Sequence, residues 1–171
     1  MAESTAPHNP AYTRPCFFIL SYSSMDENTA YEPKGEWETV PCSGESDNSL
    51  IMVTLRTDIN KFRDNPRFNI RVTVSWKYAE NGMPGTTDGE SMQQVTEALT
   101  KTFDKDPVAV LTGIYTGEGL REWVFYTLSL NIFGRKLNEA LADMPLLPLE
   151  IEAAEDAQWV EYAEAHSALP S

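Results

Sequence analysis

The chain has 171 residues, and its 26 acidic side chains outnumber 13 basic ones to give a net charge of −13. That length is one domain, and a hydrophobic share of 42% is enough to build its core. The acidic balance argues against a protein that coats nucleic acid or an anionic membrane, because both require Lys/Arg-rich faces.

Residues 1–14 are polar, contain Pro7 and Pro10 and show no periodicity, which predicts a mobile tail. They lack the basic and apolar regions of a secretion signal. The apolar run from Cys16 to Leu20 is too short to span a bilayer, so the expected setting is the cytoplasm. Cys16 and Cys42 form no Cys-x-x-Cys pair, which removes structural zinc and thioredoxin-like chemistry. They are either two small buried thiols or one bond between two strands. Phe17 to Tyr22, Glu36 to Val40 and Leu50 to Thr57 read as strands separated by loops rich in Ser, Asp, Asn, Pro and Gly. Residues 15–66 are therefore expected to be an N-terminal antiparallel β extension.

From Arg67 to Tyr78 the sequence alternates: Phe68, Ile70, Val72, Val74 and Trp76 take every second position. This is a strand with one buried face. Asn81 to Gly85 breaks the chain. In Ser91 to Phe103, Met92, Val95, Leu99 and Phe103 recur at steps of three or four, an amphipathic helix with Asp88 as its expected N-cap. Val108 to Tyr115 is a strand with a bulge at Gly113. Thr116-Gly117-Glu118-Gly119 is a hairpin turn, and Leu120 to Leu130 returns as an aromatic-rich strand. Asn131 to Asp143 is helical. Leu147 to Ala153 alternates again, placing Leu147, Leu149 and Ile151 inward. Asp156 caps a last short helix with Trp159, Tyr162 and Ala163 inward. Residues 67–166 thus follow the order strand, helix, strand, strand, helix, strand. This predicts an α+β, ferredoxin-like split βαβ (βαββαβ) domain with a short C-terminal helix.

Little in the sequence points to chemistry. The two histidines, His8 and His166, lie near the ends, where no rigid scaffold holds a general base. The glycines from Gly113 to Gly119 fit neither phosphate-binding spacing and precede a strand rather than a helix. No metal or cofactor site is expected. From Leu149 to Ala165 there are six acids (Glu150, Glu152, Glu155, Asp156, Glu161 and Glu164) and no Lys or Arg. These read as a solvated face or a partner-binding patch. Lys61 to Lys77 is locally basic, which cross-strand acids are expected to neutralise. The aromatics Trp123, Phe125 and Tyr126 lack the RNA-recognition consensus and are expected to be core.

Thr116 to Thr127 (TGEGLREWVFYT), the helix from Phe133 to Leu141, the closing Asp156 to Tyr162 (DAQWVEY), Trp37 and the loop Asn81-Gly82-Met83-Pro84 together resemble a bacterial family, domain of unknown function 695, over about residues 36–163. That family looks similar to the acidic regulator B of ribonuclease E, which is also ferredoxin-like. The resemblance transfers no catalytic residue. It implies a protein that acts by binding another protein.

The leading expectation is a non-enzymatic cytoplasmic binding or regulatory module acting through protein contact, without nucleic acid or membrane. The alternative is a small-molecule binder or enzyme with a pocket between the sheet and the N-terminal layer. In either case the side chains to inspect are Arg121, Tyr126, Asp156, Trp159 and Tyr162.

Overall fold

The computed structural model describes residues 35–46 and 48–170. The expected tail, the strand Phe17–Tyr22 and Cys16 with any bond to Cys42 lie outside the described residues.

Strands β1 (Trp37–Ser43), β2 (Leu50–Arg56), β3 (Ile70–Lys77), β4 (Ala109–Gly117), β5 (Leu120–Thr127) and β6 (Leu149–Glu155) form one sheet. Its order is β1-β2-β4-β5-β3-β6, and each described neighbour pair is antiparallel. The helices are α1 (Asn60–Arg63), α2 (Thr86–Lys105), α3 (Leu130–Ala140) and α4 (Val160–Ser167). Among the described residues the fold is therefore α+β, with a six-stranded antiparallel sheet and four helices. The single turn α1 has no counterpart in the sequence reading, because four residues are too few to show a period. None of these helices is long and apolar enough to cross a membrane.

The alternation in β3 decides one face. Val72, Val74 and Trp76 pack with Trp123 and Phe125 of β5 and with Met92, Val95, Leu99, Phe103, Phe133 and Leu137 of α2 and α3. Phe103 stacks on Phe133 at 5.2 Å. Inside this core the Trp123 indole donates to Thr96 Oγ1 at 2.9 Å, which satisfies its one polar atom. The aromatic strand is core, as its composition suggested: Trp123, Phe125 and Tyr126 are each 0% exposed.

The opposite face is covered by α1 and α4. Ile59, Phe62, Phe68, Trp159 and Tyr162 pack there on Val110, Val124 and Tyr126. Phe68 departs from its expected place: β3 begins only at Ile70, so Phe68 lies outside the strand's alternation, in a turn where its amide donates to the Asn65 carbonyl at 3.1 Å. Val40, Cys42, Val53 and Leu55 of β1 and β2 form a third cluster with Tyr115 and Ala165. Through β2–β4 pairing, β1 and β2 lengthen the sheet. Among the described residues they do not stack on it, so they create no interlayer pocket of the kind the alternative reading needed.

Local devices set the joints. The irregularity in β4 falls between Leu111 and Gly113, leaving Thr112 as the extra residue; its hydroxyl donates to the Val124 carbonyl at 3.1 Å. The β4–β5 turn runs through Glu118 (φ 51°) and Gly119 (φ 78°), the two positive angles of a tight hairpin. The Glu118 carboxylate accepts from the Ser46 amide at 2.9 Å and from the Ser49 hydroxyl, tying that turn to the β1–β2 loop. Helix α2 begins earlier than its apolar pattern, with Gly85 in the N-cap position. Asp88 is therefore inside the first turn, where its charge favours the helix dipole, and is not the cap. Ser129 caps α3 by accepting from the Ile132 amide.

Two inward expectations fail at the periphery. Ile151 is 54% exposed because β6 is the last described strand of the sheet and the helix layer does not reach it. Ala163 is exposed, and Ala165 takes the inward position of α4.

Candidate functional site

Four of the five side chains singled out in the sequence meet on the α1/α4 face. Tyr126 stacks on Trp159 with centroids 3.8 Å apart and planes 9° apart, and Trp159 meets Tyr162 edge-on at 5.9 Å. The Tyr126 hydroxyl donates to Asp156 Oδ2 at 2.7 Å. Burial pushes this phenol well above its ordinary range, and the Asp156 hydrogen bond adds to that. Asp156 also accepts from the amides of Val160 at 2.9 Å and Glu161 at 3.3 Å. It thus caps α4 with its side chain, although Trp159 holds the N-cap position. Trp159 sits at φ 54°, ψ 41°, a left-handed conformation that is uncommon outside glycine. Its indole donates to the Phe68 carbonyl at 2.7 Å, and the Tyr162 hydroxyl donates to the Arg56 carbonyl at 2.6 Å. All four residues are therefore committed to anchoring α4 to the sheet.

Arg121 does not join them. It lies on the α2/α3 side, where Nε donates to Thr116 Oγ1 at 2.8 Å and the guanidinium lies 5.9 Å from the Trp123 ring. Strand alternation separates it from Tyr126, five residues along the same strand and so on the other face.

The acidic C-terminal stretch divides by role. Glu161 is 6% exposed and forms an ion pair with Arg71. Lys77 pairs with Glu150 across β3 and β6 at 2.9 Å. The expected neutralisation by a neighbouring strand thus holds for Lys77, whereas Arg71 takes its partner from helix α4. Glu152 and Glu155 stay exposed along β6. Glu122, which the sequence reading missed, is 5% exposed. Burial, with the neighbouring Glu152 charge adding to it, pushes its carboxyl up to about 7. Its signal in the sequence was an acid within the otherwise aromatic and apolar run Glu122-Trp123-Val124-Phe125-Tyr126. Tyr115, its partner across β4 and β5, is likewise raised by burial.

A polar cleft of about 320 Å³ lies where α1 faces the β6–α4 connection, lined by Asn60, Arg63, Asp64, Ala157, Gln158 and Trp159. Neither Glu122 nor Arg71 lines it. Among the described residues no His, Cys, Asp and Glu cluster has the makings of a metal site.

Residues 35–165 match a family described as a family of unknown function (DUF695). The chain belongs to that family. The matched span runs from the start of the sheet into α4, so it contains β6, the Tyr126–Asp156–Trp159–Tyr162 cluster and Glu122. No curated protein matches the chain, and no solved structure does.

Proposed function

We propose that this DUF695 protein is a cytoplasmic binding or regulatory module that works through contact with another protein. One observation carries this reading. Among the described residues nothing covers the segment leading into and along β6: Leu146 is 102% exposed and Ile151 54% exposed, beside the exposed Glu150, Glu152 and Ala153. Apolar side chains at an open sheet edge, rimmed by charge, mark a site where another chain docks. The other large aromatic and aliphatic groups of β3 and β5 are occupied by the two cores.

We also infer that β3 to β6, within residues 67–166, make a ferredoxin-like split βαβ unit with residues 15–66 as its β extension. The strand order β4-β5-β3-β6, with α2 and α3 packed on the same face, supports this. The likeness to the ribonuclease E regulator rests on the sequence resemblance alone.

A photo-crosslinking amino acid placed at Ile151 or Leu146, with Gln94 on α2 as control, tests the docking role in cells. Discrete protein adducts at 151 and 146, absent at 94, are expected. Equal labelling at all three positions, or none at 151 and 146, overturns it.

A second reading, a small-molecule-binding or enzymatic role, has Glu122 in its favour. A carboxyl that titrates near neutrality is of the kind proton-transfer sites use. It is the weaker reading, because Glu122 is almost fully sealed and lies outside the described cleft. Saturable binding of a small molecule that shifts the Glu122 titration would favour it.

A further inference from the structure

The docking reading leaves open what kind of chain β6 would accept, and the register of the sheet narrows this. The Asp156 amide donates to the Asn69 carbonyl at 2.8 Å, one residue beyond the Ile70–Glu155 pair. Hydrogen bonding alternates along an antiparallel ladder. Glu150, Glu152 and Ala154 therefore turn their backbone groups toward β3, while Ile151 and Ala153 turn theirs away from the sheet. The other outer strand is built differently. The Thr57 amide donates to the Glu36 carbonyl at 2.8 Å, and by the same alternation Pro41 lies at an outward position of β1. A proline there removes a donor and blunts that edge. No proline interrupts β6.

Side chains decide the partner. Across an added strand, directly opposed residues point to the same face. Glu150 and Glu152 point to one face of β6, and Leu149, Ile151 and Ala153 to the other. A second copy of this chain fits poorly. Antiparallel self-pairing centred on Ile151 sets Glu150 against Glu152 twice, and pairing centred on Glu152 sets that residue against itself, in a molecule already at −13. Like charges directly opposed are destabilising; Glu150 already pairs with Lys77 but keeps 61% side-chain exposure, so Glu152 carries most of the selection against self-association and of the preference for the opposite charge.

Resting on the proposed docking role, and going beyond it, we propose that β6 accepts an extended segment of a partner protein in which Lys or Arg alternates with apolar residues, the bases opposite Glu150 and Glu152 and an apolar side chain opposite Ile151. Main-chain bonds to Ile151 and Ala153 provide affinity, and the alternation provides register, as in other strand-addition complexes.

The test uses the full chain and three labelled peptides of equal length: alternating Lys-Val, alternating Thr-Val, and a Lys block followed by a Val block. Fluorescence anisotropy gives affinity, and NMR amide exchange reads Ile151 and Ala153. The alternating Lys-Val peptide is expected to bind about tenfold more tightly than either control and to protect both amides. Glu152→Lys should remove about that factor, and Ala153→Pro, which deletes an outward amide, should abolish protection. If one variant fails to fold by circular dichroism, the other still decides. Equal protection by Thr-Val overturns the basic partner while leaving β6 docking intact. Binding of the Lys block as tightly, without protection, also overturns the basic-strand proposal, since it shows only diffuse charge attraction. No amide protection by any peptide overturns both this inference and strand docking at β6.

Discussion

Replacing Trp159 by Ala and by Gly separates the two things that residue does. Both variants delete a ring that is 2% exposed, stacked on Tyr126 and bonded to the Phe68 carbonyl. Truncating a buried Trp costs about 3–5 kcal/mol. The orphaned carbonyl places Trp159→Ala toward the top of that range. The backbone at φ 54° then distinguishes the variants. A left-handed conformation costs an L-residue about 1–2 kcal/mol. Glycine avoids that, but gives up about 0.5–1 kcal/mol to the freedom of the unfolded chain. Trp159→Gly should therefore be as stable as Trp159→Ala or up to about 1.5 kcal/mol more stable, the reverse of the order at an ordinary helix position. Guanidinium unfolding followed by circular dichroism measures both. For a chain of this size each kcal/mol moves the melting temperature by roughly 2–4 °C, so both variants should melt roughly 8–20 °C below the parent. The reasoning fails if Ala exceeds Gly by 1 kcal/mol or more, or if Ala costs less than about 2 kcal/mol against the expected range.

Glu122→Gln should change the pH dependence of stability. Its folded-state pKa, about 7, lies above the ordinary carboxylate value, so the folded state holds a proton the unfolded state has released. The stability from that proton is fully present below the unfolded pKa and is lost as pH rises through 7. The Gln variant should gain on the parent by up to about 3 kcal/mol at pH 8, a gain that disappears toward pH 4; parallel curves from pH 4 to 8 would refute this. Glu161→Ala strands Arg71 against a buried face. Arg71 keeps 24% side-chain exposure, so the cost should fall to about 1.5–3 kcal/mol, below that of a fully buried pair, and the Arg71→Leu/Glu161→Leu double variant should recover part of it in urea unfolding. Gly89 and Gly134 lie in helices with open space where a Cβ would go, so Ala at each should stabilise by about 0.5–1 kcal/mol. Gly117→Ala should destabilise, because its Cβ would meet the Leu50 carbonyl oxygen at 2.3 Å; thermal melts of the three variants check the contrast.

Where neighbours along the chain decide the outcome, the amino-acid order was enough. The alternation of Val72, Val74 and Trp76, the helical spacing of Met92, Val95, Leu99 and Phe103, and the Glu118-Gly119 turn follow from backbone geometry and burial of a single face. A period assigns side chains to two faces; it does not say what covers each. Only the assembled sheet put α1 and α4 over Tyr126. That drew Phe68 across to the far side and buried Glu161 against Arg71. It also forced Trp159 into a left-handed turn that its ring packing repays. The same reason left Ile151 bare: its strand has an inward pattern, but it stands at the margin of the sheet, where the helix layer ends. The candidate site was legible as residue types, in the acidic stretch and the Tyr126–Asp156–Trp159–Tyr162 set. Which of those groups hold the fold together, and which remain free to meet another molecule, was decided by contacts between segments as much as 106 residues apart, as from Tyr162 to Arg56.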